Sequence, residues 1–214
     1  MSLSHSPKIT TSGLVCCLDA NDPKSYNGSG STWFDRSGNG NNGTMLNMTF
    51  AEKTMVFNGS NGQVNTDVTL NKDEGTIACW FKIDVQKNYN TIFDNALGAN
   101  DWEMWIYVDG RLRFRTSANQ TDILMTVNDI QINTWYHMIL TWDQSNGYIY
   151  MNGEQAVSDV AAPANRTTPT QLRIGGSINT RLDGNMGAFW IYNNALTSGE
   201  VKQNYNATKG RFGL

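Results

Sequence analysis

Along this chain, apolar and polar residues alternate in short runs, and each run stops at a turn signal. Asn-Gly steps begin at Asn27, Asn39, Asn42, Asn58, Asn61, Asn146 and Asn152, and Asp-Gly steps at Asp109 and Asp183. Such pairs tolerate the positive φ that hairpin turns require. The runs between them are rich in aromatic and β-branched residues. They predict strands over 14–19, 54–57, 62–65, 76–83, 91–94, 102–108, 112–116, 135–142, 148–151, 155–157, 171–174 and 186–192. So many short strands at this spacing predict a two-sheet antiparallel sandwich. Only 196–205 has a helical pattern, with Thr197 or Ser198 as its cap and Glu200 in the first turn.

Two segments predict more detail. A two-residue turn at Asp109-Gly110 pairs Val108 with Arg111, Tyr107 with Leu112 and Trp105 with Phe114. Trp105, Tyr107, Leu112 and Phe114 then face the core. Arg111, Arg113 and Arg115 share the other face with Trp102, Met104 and Ile106. Three arginines on alternate residues are not buried without partners, so that face meets solvent or a ligand. The run 135–142 is apolar on both faces, which predicts an interior strand.

Composition sharpens this picture. The chain has 26 Asn and 20 Gly but only 5 Glu, so turn formers displace helix formers. A length of 214 residues suits one domain, read as a tail over 1–12 and a single domain over 13–214. A net charge of −3 leaves no basic footprint for nucleic acid. No apolar run approaches the roughly 20 residues that span a bilayer, and the first residues lack the apolar stretch of a signal peptide. Cys16 and Cys17, as strand neighbours, point to opposite faces. With Cys79 they make an odd set without metal spacing, read as reduced, small apolar residues.

Several motifs then look familiar. They are Gly13-Leu-Val-Cys-Cys-Leu-Asp-Ala20, Trp33-Phe-Asp-Arg-Ser-Gly-Asn-Gly-Asn-Asn-Gly-Thr44, Phe57-Asn-Gly-Ser-Asn-Gly62, Thr76-Ile-Ala-Cys-Trp-Phe-Lys82, Trp135-Tyr-His-Met-Ile-Leu-Thr-Trp142, Tyr148-Ile-Tyr-Met-Asn-Gly-Glu154 and Gly184 through Leu196. In this order they resemble the laminin-G-like group of concanavalin A-like lectin and glucanase domains. The resemblance implies an all-β, two-sheet antiparallel jelly-roll sandwich with one short C-terminal helix. More narrowly, residues 13–26 and Gln203-Asn-Tyr-Asn-Ala-Thr-Lys-Gly-Arg-Phe212 resemble the ends of structural proteins of tailed marine and cyanobacterial phages. That implies a virion component made in a host cytoplasm.

The chemistry is read against that family. Glucanases of this fold carry acids on alternate residues of one strand, as E-x-D-x-E, which sets two carboxyls about 5 Å apart. Here no such string exists, and only Asp101 and Glu103 come close. His5 and His137 have no nucleophile partner in sequence, and the family's W-x-H histidine is structural. Many relatives hold calcium through acids near the C-terminus, where this chain has Gly187 and Ala188. Asp35 remains as a candidate calcium ligand, or as an acceptor that ties its own loop. For a sugar, stacking on Trp plus hydrogen bonds from planar polar groups points to Trp102, Arg111, Arg113 and Arg115, flanked by Asn100, Asp101, Asn119 and Gln120. The alternative is a solvated or subunit-contacting face. The expectation is a module that binds a host glycan or a neighbouring virion protein without catalysis, and that can form a homo-oligomer through its sheet edges; the alternatives are a glucanase-like enzyme acting on a polysaccharide and a cellular carbohydrate-binding adhesin.

Overall fold

The computed structural model describes residues 8–95, 102–115, 124–125, 130–161, 168–176 and 180–214, with side chains left out at 124–125 and 158–161. In chain order the strands are β1 (Leu14–Asp19), β2 (Thr32–Trp33), β3 (Gly43–Leu46), β4 (Thr49–Ala51), β5 (Thr54–Asn58), β6 (Gln63–Thr66), β7 (Gly75–Ile83) and β8 (Tyr89–Asn95). They continue as β9 (Glu103–Tyr107), β10 (Leu112–Arg115), β11 (Leu124–Met125), β12 (Tyr136–Trp142), β13 (Asn146–Met151), β14 (Glu154–Ala161), β15 (Leu172–Ile174) and β16 (Asp183–Tyr192). One helix, α1 (Ser198–Thr208), runs into a 3-10 turn over Lys209–Phe212.

The strands form two antiparallel sheets. The first runs β14-β13-β12-β7-β16-β5-β4, with β1 also paired to β16. The second runs β11-β10-β9-β8-β15-β6-β3-β2. Alternation decides what each face does. Ile77, Cys79, Phe81, Met138 and Leu140 of the first sheet meet Phe93, Trp102, Met104, Ile106, Leu112 and Phe114 of the second, in one continuous core. Phe93 and Phe189 meet edge to face across it at 6.2 Å. As expected, β12 is interior, between β7 and β13, and apolar on both faces.

The outer face of the first sheet holds a second apolar cluster that includes Ala78, Trp80, Ile139, Trp190 and Tyr192. Helix α1 and the turn after it cover this cluster. Thr197 caps the helix, and Glu200 completes a capping box by reaching back to the Thr197 backbone. Phe212 stacks on Trp80 at 4.2 Å, and the Trp80 Nε1 donates to Thr208 Oγ1. Residues 8–10, read from sequence as tail, lie along α1. Thr10 N donates to Asn204 Oδ1, and Gln203 Nε2 donates to the Lys8 carbonyl. Cys16 and Cys17 do face opposite ways, into the two separate clusters, and all three thiols are free and buried.

Candidate functional site

The hairpin at Asp109-Gly110 differs from expectation by one residue. Gly110 sits at φ +78° and its N–H donates to the Tyr107 carbonyl, while Tyr107 N donates to the Arg111 carbonyl. The connection is therefore a three-residue loop, a turn closed by a left-handed glycine, not a two-residue turn. The pairs become Leu112 with Ile106, Arg113 with Trp105, Phe114 with Met104 and Arg115 with Glu103. A slip of one residue turns the whole of β9 over. Trp102, expected to offer a sugar platform, is fully buried and packs against Trp142 at 4.8 Å. Met104 and Ile106 join it in the core, and Trp105 and Tyr107 take the outer face with the arginines.

That outer face is built from directly opposed residues. One row crosses four strands as Arg115, Glu103, Asp94 and Arg173. Arg115 contacts Glu103 at 2.7 Å. Arg173 grips Asp94 with two bonds, at 2.9 and 2.8 Å. A second row sets Arg113 beside Trp105 and Thr91, and a third brings Tyr107 opposite Tyr89. The Arg113 guanidinium lies over the Tyr107 ring at 4.4 Å, and that of Arg115 over Trp105 at 5.3 Å. Asp109 pairs with Arg113 at 2.9 Å, and its carboxyl is held below its ordinary value by hydrogen bonds from the Arg111 backbone and the Arg113 side chain, which outweigh desolvation. Tyr89 is exposed, whereas Trp105 is nearly buried and its Nε1 has no acceptor among the described residues. Stacked guanidinium planes, a phenol and carboxylates offer both the flat contacts and the directional hydrogen bonds that a sugar requires.

Of the candidates named from sequence, the structure brings Arg111, Arg113 and Arg115 to one side of β10, with Arg111 exposed at the hairpin. Asn100, Asp101 and Asn119, with Gln120, lie outside the described residues. Asp94 and Glu103 form a pair that no pattern of acids along one strand reveals, because they are opposed across β8 and β9. The visible signal was an acid in each of two adjacent strand candidates.

Asp35 is a correction. Its Oδ1 accepts from the N–H groups of Cys17 and Ser37, both at 2.8 Å. Its Oδ2 accepts from Ser37 Oγ at 2.7 Å and Asn41 N at 3.0 Å. Four donors fill the carboxylate, so Asp35 ties its loop to β1 and has no lone pair facing a cation. Among the described residues, no group of three or more His, Cys, Asp or Glu side chains is placed to hold a metal. No helix among them is long and apolar enough to cross a membrane.

Residues 57–202 match the family described as the concanavalin A-like lectin/glucanases superfamily, and the chain belongs to it. The pentraxin-related protein PTX3 of Bos taurus is 23% identical over 152 residues, 64% of this chain and 40% of that protein. A Trypanosoma rangeli sialidase solved with sialic acid superposes with a TM-score of 0.74 at 19% identity, over 93% of this chain and 33% of the sialidase. The binding domain of botulinum neurotoxin serotype D superposes with a TM-score of 0.73 at 15% identity, over 92% of this chain and 51% of that one. The chain thus spans between a third and about half of each of these chains. These likenesses correct the expectation of a module without catalysis. Sialidases share the fold, which therefore belongs to enzymes as well as to non-enzymes.

Proposed function

We propose that this chain is a carbohydrate-binding module whose glycan lies across the outer face of the second sheet, over β8, β9 and β10. The observation that carries this reading is the one-residue register that gathers Tyr89, Trp105, Tyr107, Arg113 and Arg115 on that face. Sugars are held by ring stacking together with planar hydrogen-bonding groups, and this face supplies both. The lectin and glucanase family supports the reading, as does a neighbour described as a toxin's binding domain. The setting we propose is a phage particle, with the protein made in a host cytoplasm and its partner a host glycan or an adjoining virion protein. The two terminal motifs support that setting. Self-association through strand edges belongs to the same proposal.

A glycan array tests the site, run with the parent chain and with Arg113→Ala and Tyr89→Ala. We expect a reproducible hit that falls at least tenfold in both variants while their thermal unfolding stays near the parent's. Equal binding by parent and variants removes this face as the site. No hit with the folded parent, together with co-sedimentation with particles, favours a purely architectural role.

A further inference from the structure

The terminal motifs meet on the opposite side of the sandwich from the proposed glycan face. Arg211 Nη1 reaches Asp19 Oδ2 at 2.6 Å, joining the closing motif to the opening one. Phe212 stacks on Trp80 over Gly187, where any Cβ would meet the Phe212 ring at 2.5 Å. The ring therefore needs glycine at that position. Beside this junction α1 no longer covers the first sheet, and a cavity of about 410 Å³ opens there. That volume lies within the usual range for a small-molecule site, roughly 300–1,000 Å³.

Strand residues of β7 and β16 line the cavity through the cross-strand pair Lys82 and Asn185. Trp135 and Phe212 line it as well, packed together at 4.7 Å. Glu52 and Lys53, both at positive φ in the β4–β5 turn, contribute too, with Asn21 and Arg211. Asp84 holds Lys82 at 3.2 Å and Asp19 holds Arg211, but neither acid lines the cavity. The lining thus presents three cations and one carboxylate. Lys53 and the Asn21 amide have no side-chain partner among the described residues. Asn185 uses its Nδ2 on Thr54 Oγ1 at 3.0 Å, and its Oδ1 has no partner among the described residues.

We propose that this cavity is a second binding site, for a saccharide unit bearing a carboxylate. Lys53 and Lys82 meet the carboxylate, Asn21 and Asn185 meet the hydroxyls, and the partly exposed Trp135 ring packs against the sugar. The cations set the ligand class, and the amides with the ring argue for a sugar over a bare anion. This inference stands apart from the second-sheet site and does not depend on it.

The test is a titration of the purified chain followed by the indole N–H signal of Trp135, with glucuronic acid, glucose and sodium sulfate as separate probes. We expect glucuronic acid to shift the signal saturably, with at least tenfold weaker binding for Lys53→Ala and for Lys82→Ala. The Arg113→Ala variant should bind as the parent does, which separates this site from the other. Lys53 is exposed at a hairpin turn, so its variant keeps the fold. A Trp135 signal unmoved by glucuronic acid overturns the site. Glucose binding as tightly overturns the acidic class, and sulfate binding as tightly overturns the saccharide.

Discussion

His137 makes the stability of this domain depend on mild acid. The residue is fully buried beneath α1, with its ring 4.8 Å from that of Trp80 and 5.9 Å from that of Tyr205. Neither ring nitrogen has a hydrogen-bond partner among the described residues. Burial alone pushes the imidazole down from an ordinary 6.5 to about 3, because the charged form has nothing to replace its lost water. The folded value is below the unfolded one. Its stability contribution is therefore complete above pH 6.5 and is lost as pH falls towards 3, since the unfolded chain takes up a proton that the fold refuses. A gap of roughly three and a half units corresponds to about 5 kcal/mol over the whole window, and to about 3 kcal/mol between pH 7 and pH 4. That is a large part of the 5–15 kcal/mol typical of a whole domain. Urea unfolding at pH 7, 5.5 and 4 should show it when the parent is compared with His137→Leu, because the carboxylates titrate alike in both and cancel in the difference. The stability difference, leucine variant minus parent, should grow by about 3 kcal/mol from pH 7 to pH 4. Parallel pH profiles would refute the reasoning, and so would a larger loss in the leucine variant.

Other expectations follow from the same geometry. Trp102→Ala should lower stability by about 3–5 kcal/mol in chemical unfolding, by opening a cavity between Trp142 and Phe114, while any variant that stays folded keeps its glycan hits. Asp35→Ala should cost about 2–3 kcal/mol, since four donors lose their acceptor. The melting temperature of the parent should not move between calcium and chelator.

Much of the architecture was legible because burial imposes its period on a strand. The expected runs 14–19 and 76–83 recur as β1 and β7, with the second starting one residue earlier, and of the two expected caps, Thr197 and Ser198, it is Thr197 that caps α1. Strands β2, β3, β4 and β11 lie outside the predicted runs. All four are short, and the first three lie within or just after a stretch dense in Asn and Gly, where turn signals mask the alternation. The site was less legible than the fold. Asp109-Gly110 announces a hairpin but not its loop length, and one residue of loop decides whether Trp102 or Trp105 faces outward. The bulge at Ile92 defeats simple alternation as well, because Ile92 and Phe93 both point into the core and the polar face resumes only at Asp94. The opposition of Asp94 and Glu103 is a property of sheet order, which no single strand contains.

The docking of residues 8–10 along α1 has a further consequence. Lys8 and Arg211 border one groove, so the backbone enters and leaves the sandwich at nearly the same point. A linker from Arg211 to Lys8 would bridge that groove, and a circular permutant of residues 8–211 reopened at the Asn152-Gly153 turn should keep both sheets in register. The same closeness makes the fold easy to graft into a surface loop of another protein. Only a small gap in that host would need to be spanned, and the tyrosine- and arginine-bearing sheet would still face outward.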